Sequence, residues 1–138
     1  MRVFVADGRI GGPAAEWTEL TAGEQAAVRF SARDLSQAQR LRRRILGEDA
    51  VSAVLDVTVL VDDDVRSAQR RLAELAADTA NSLAYAGTLD GLAGLIADIY
   101  HAGVADGVTL IPAAPHEDAR SLGVATLERV AARLHTAA

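Results

Sequence analysis

The sequence contains no cysteine. Thiol nucleophiles, disulfides and cysteine-ligated zinc are therefore excluded. Lysine is missing as well, since all 14 basic side chains are arginine. That absence removes Schiff-base catalysis and the phosphate-binding lysine of P-loop proteins. Aromatic residues make up only 4% of the chain against 50% hydrophobic residues, so a core must be built from Ala, Leu, Val and Ile. No apolar run approaches the roughly 20 residues that a membrane span requires. The opening residues lack the basic, apolar and small-residue succession of a secretory leader. A cytoplasmic protein with no membrane partner is the expectation. The formal net charge of −5 also argues against nucleic acid as a partner, because the phosphate backbone must be met by positive charge.

What is present reads as alternating strands and helices. Arg2 to Ala6 is a short apolar run ended by Asp7-Gly8, which suits a buried strand. A polar, glycine-rich connection containing Trp17 extends from Gly8 to about Gly23, and Ala26 to Ser31 forms a second, weaker strand. Asp34 is placed to cap a helix whose apolar positions Leu35, Ala38, Leu41 and Ile45 share one face. Arg40, Arg42, Arg43 and Arg44 form a dipole-complementing helix end, either solvated or placed to meet an acidic partner, and Gly47 a stop. Val51 to Val61 is rich in β-branched residues and nearly continuous in apolar character, as in a parallel strand covered on both faces.

Asp62-Asp63-Asp64 then opens a helix with Val65, Ala68, Leu72, Leu75 and Ala76 on one face. An irregular stretch from about Asn81 to Ala86 leads to Thr88, the N-cap of a helix that runs to Ala102 and is stopped by Gly103. Val108 to Ile111 is a strand, Pro112 to Pro115 a turn, and a last helix runs from about Glu117 to Leu134. The run Asp34 to Arg40 also resembles Asp64 to Arg70 at an offset of 64 − 34 = 30 residues, the size of one βα unit. The whole pattern predicts an α/β fold with parallel strands and helical crossovers. At 138 residues it is expected to be a single domain over 1–138, too short for a complete eight-stranded barrel of about 250 residues.

Several of these segments, taken together, are similar to the C-terminal part of the bacterial luciferase-like flavin-dependent monooxygenases, in particular the branch acting on nitrilotriacetate and alkanesulfonates. Ala86-Gly87-Thr88 resembles that family's helix start, and Ala102-Gly103-Val104-Ala105-Asp106-Gly107 its strand entry. Val3 to Gly12 matches the strand and glycine-rich loop that hold the flavin phosphate, Ala27 to Leu35 the next strand and helix, and Val51 to Leu75 the pair after that. Leu89 stands where the family carries proline, and no serine occurs between Gly8 and Gly12. The resemblance covers most of this chain but only the last third or so of a family member. It implies half of a (βα) barrel with about four parallel strands. It also implies a flavin cofactor, FMN or a deazaflavin, and an accessory role in monooxygenase chemistry that a short chain does not perform alone. A homodimer, or a complex with a larger homologue, would close the open barrel, with a flavin reductase as a further partner. The alternative is a structural or interaction protein that keeps the fold without the flavin site.

The candidate residues follow from these placements. Gly8, Arg9 and Gly11 lie in a loop after a strand, where backbone N–H groups and a guanidinium can cradle a phosphate or simply form a flexible turn. The resemblance adds Ser31 at a neighbouring strand end, and His116, which follows the last strand where α/β sites collect, is the candidate to polarise a substrate or act as a base. Glu117 and Asp118 are helix-start carboxylates. Asp62, Asp63 and Asp64 offer either a hard-cation site or an N-cap with an acidic first turn. Trp17 offers a stacking surface for a flavin, a plug for an interface, or simple packing in the core.

Overall fold

The computed structural model describes residues 1–6, 17–46, 51–75, 83–114 and 118–136. Among them, six strands and four helices follow in the order β1 (Arg2–Val5), β2 (Thr18–Glu19), β3 (Ala26–Phe30), α1 (Leu35–Leu46), β4 (Val51–Val61), α2 (Val65–Glu74), β5 (Leu83–Gly87), α3 (Leu89–His101), β6 (Gly107–Pro112) and α4 (Ala119–Thr136). The strands form one open, strongly curled sheet, half a barrel in form, as expected for a partial α/β barrel. Its path runs β2-β1-β6-β4-β3, with β5 also paired to β4. The pairings among β1, β6, β4, β3 and β5 are all parallel, and only β2 runs antiparallel to its neighbour. Strands adjacent in space are thus not always adjacent in sequence, since β6 sits between β1 and β4.

The eleven-residue β4 carries this arrangement. On one edge its residues 54–59 pair with β6. The pairing with β3 uses residues 51–55, and that with β5 uses residues 57–61. Each of these spans overlaps the span taken by β6, so β3 and β5 must both lie on the opposite edge, end to end. The right-handed rule for parallel crossovers then distributes the helices. The β3-α1-β4 and β5-α3-β6 connections cross the sheet in one direction and β4-α2-β5 in the other, so α2 covers the face opposite α1 and α3.

Burial agrees with that division. Successive residues of a strand point to opposite faces. Val3 and Val5 of β1, Leu55, Val57 and Val59 of β4, and Val108 and Leu110 of β6 form one core with Ala38, Leu92, Ile96, Ile99 and Val130 from α1, α3 and α4. Ala68 of α2 and Leu60 of β4 are also fully buried but stand outside that cluster, on the second face. The helix α3 contributes most to the main core. Each of Leu92, Ile96 and Ile99, essentially inaccessible, contributes about 1.5–3 kcal/mol by leaving water.

The ends of α3 are set by short-range chemistry. Thr88 is extended, and its side-chain oxygen accepts the Gly91 N–H at 3.1 Å. At the other end the Gly103 N–H donates to Tyr100 O and the Val104 N–H to Ile99 O, with Gly103 at φ 68°. That double closure needs a left-handed residue, which glycine adopts without steric cost. The repeated Asp residues behave alike: Asp34 accepts the Gln37 N–H at 2.7 Å and Asp64 the Ser67 N–H at 2.8 Å.

Four expectations are corrected. The irregular stretch before Thr88 contains β5, whose Ala-rich composition carries little strand propensity but which β4 holds in parallel register. The polar connection around Trp17 contains β2, fixed by an antiparallel ladder on β1. Within the basic end of α1, Arg42 is not a solvated charge: its guanidinium donates to Gly103 O at 3.2 Å and to Asp106 Oδ1 at 2.8 Å. Val65 and Leu75, expected to face inward on α2, are 49% and 38% exposed, and Ala68 makes the buried contact instead. The Gly47 stop lies outside the described residues.

Asp106 ties four elements together. Its Oδ2 accepts the Ala53 N–H at 2.9 Å while its own N–H donates to Ala53 O at 2.9 Å, which starts the β4–β6 pairing. Its carbonyl accepts the Arg2 N–H of β1 at 3.2 Å. Asp106→Ala leaves the Ala53 N–H and Arg42 without this partner, and urea denaturation should show a loss of about 2–3 kcal/mol, with Asp106→Asn milder. The next residue, Gly107, faces β1 so closely that an added Cβ would lie 2.6 Å from Arg2 O, a backbone atom that cannot move aside cheaply. Thermal melts should report Gly107→Ala as destabilised by about 1–3 kcal/mol, whereas Gly94→Ala, where the nearest atom is a flexible Arg133 tip, should be far milder.

The edge of the sheet holds a second ion pair. Arg2 grips both oxygens of Glu19, at 2.8 and 2.7 Å. This guanidinium, with help from the Thr21 hydroxyl and the Gly23 N–H, lowers the Glu19 carboxyl to about 2 from an ordinary 4.5. A carboxylate whose pKa is depressed on folding stabilises fully above its unfolded value and loses that contribution as pH falls through the folded one. Part of the acid-induced loss of stability between pH 4.5 and about 2 should therefore vanish in Glu19→Gln, read as a flatter pH dependence of the denaturation midpoint.

Candidate functional site

The sheet presents a polar band on its second face. Phe4 of β1 is level with Thr109 of β6, and Thr109 with Asp56 of β4. Strands lie about 4.8 Å apart, so the row spans about 10 Å from Phe4 to Asp56. At one end Trp17 stacks on Phe4, with ring centroids 4.3 Å apart and an interplanar angle of 12°, and its Nε1–H donates to Thr109 Oγ1 at 2.8 Å. At the other end Asp56 accepts Arg29 Nε at 2.7 Å and the Ser31 hydroxyl at 3.3 Å. Asp56 was legible only as the one charged residue of a mostly apolar strand that also carries Ser52 and Thr58, and its partners explain how the strand tolerates it.

The predicted site residues divide in two. Ser31 is exposed just beyond β3 and joins Asp56 and Arg29. Its hydroxyl proton is committed to a carboxylate, so it reaches a phosphate only by giving up that bond. Gly8, Arg9, Gly11 and His116 lie outside the described residues. In sequence, however, the first three follow β1 and His116 follows β6, and these strands are parallel neighbours with Val5 level with Leu110.

Asp62, Asp64 and Asp118, singled out in the sequence, are held by local contacts, and Glu117 lies outside the described residues. Asp64 caps α2, its pKa lowered by the Ser67 N–H and then the Ser67 hydroxyl. Asp118 lies just before α4, its pKa lowered by the Ser121 hydroxyl and then the Arg120 N–H. Asp62 is lowered by the Asp63 N–H and by Arg71, which reaches it at 3.1 Å. Among the described residues no group of three metal-ligating side chains converges. Nor is any helix among them long and apolar enough to cross a membrane.

A cleft of about 490 Å³ opens between the C-terminal ends of β4 and β5, lined by Val61, Asp62, Asp63, Thr88, Asp90 and Arg129. Here α2 leaves toward one face and α3 toward the other, the geometry of a topological switch point, where ligands of open α/β sheets gather. Arg129 donates to Asp90 at 2.8 Å across the cleft mouth. The sequence held two signals of it, Thr88 as a helix start and the Asp62-Asp63-Asp64 run, but not the divergence of the helices. Tyr85 completes this end by donating its hydroxyl proton to Thr88 O at 2.8 Å, in a slot left open by Gly87 and Gly91.

No protein-family model matches the chain, and no curated protein matches its sequence.

Trp17 is the single tryptophan and so reports on the band directly. Thr109→Val removes the acceptor for its indole N–H in a site where Thr109 is fully buried. The expected outcome is a changed Trp17 emission spectrum together with a stability loss of about 1 kcal/mol.

Proposed function

We propose that this chain is a flavin-binding or accessory half-barrel related to the luciferase-like monooxygenases, and that it works with a second chain rather than as a complete enzyme. The observation that carries this reading is the parallel pairing of β1 with β6. It starts the glycine-rich segment with Gly8, Arg9 and Gly11, and the segment with His116, from neighbouring strand ends. Carboxyl ends of parallel strands are where α/β folds bind ligands. In this reading backbone N–H groups and Arg9 hold the phosphate of FMN or of a deazaflavin, and His116 stands where a proton can be moved. The flavin ring and substrate belong to the partner, either a second copy or a larger homologue that closes the open sheet. Reduced flavin comes from a separate reductase, and the setting is cytoplasmic.

A second reading, a structural or interaction protein without a flavin site, is favoured by one set of contacts. Ser31 is engaged by Asp56, Asp62 by the Asp63 N–H and Arg71, and Asp64 and Asp118 serve helix starts. Titration of the purified protein with FMN, followed by flavin fluorescence and absorbance, separates the two. Saturable binding that weakens about tenfold or more in Arg9→Ala is the expected result. Absence of binding at high protein concentration would sink the flavin reading and leave the interaction protein. Sedimentation of the same sample tests association independently, and a monomer at all concentrations would remove the homodimer.

A further inference from the structure

We draw no further inference here: the strongest candidate, the cleft between the ends of β4 and β5, is an acidic cluster beside a helix N-terminus in which no buried, unpartnered side chain among the described residues points to a ligand.

Discussion

The carboxylate of Asp106 is the constraint on which the other elements depend. A parallel sheet has no hairpins to set its register, so each strand must be aligned by a distant contact. Asp106 supplies that alignment for three strands at once, through its two side-chain oxygens and its own peptide groups. It sits three residues after Gly103, whose left-handed turn ends α3 and aims the chain into β6. Arg42 completes the arrangement by holding both the Gly103 carbonyl and the Asp106 carboxylate, so α1 is oriented by the same group.

This explains why some of the chain could be read without its structure. Thr88, Asp34 and Asp64 announce helix starts because a short acceptor side chain satisfies a nearby N–H, a contact within three residues. Gly103 announces a stop for an equally local reason. The long run from Val51 to Val61 can only be a strand buried on both faces, and α2 on one side with the main core on the other provides that cover. The parallel sheet with helical crossovers follows from the alternation of such signals, whereas its half-barrel form was implied by the family resemblance alone.

What could not be read depends on contacts far apart in the chain. Leu83 to Gly87 is a strand only because β4 extends beyond β3 and leaves an edge for it. Arg42 looks like any other residue of a basic helix end until Asp106, 64 residues away, is brought beside it. The candidate site shares this limit. Asp56 acquires its partners from β3 and its neighbour from β6, and the cleft beside Thr88 exists because two helices leave opposite faces of the sheet.

The pairing of β1 with β6 has a consequence for how the chain is made. Arg2 is level with Gly107, a separation of 107 − 2 = 105 residues. Synthesis therefore completes β1 long before its parallel partner exists. Closing so long a loop costs entropy that only the finished core repays, and such distant contacts slow folding. In the interval Val3, Phe4 and Val5, all buried in the completed sheet, stay uncovered by β6. The antiparallel β2, only about fifteen residues behind, is the sole early neighbour of β1 among the described strands. The Arg2–Glu19 pair lies at that junction, within the β1–β2 ladder whose residues are all made before β6.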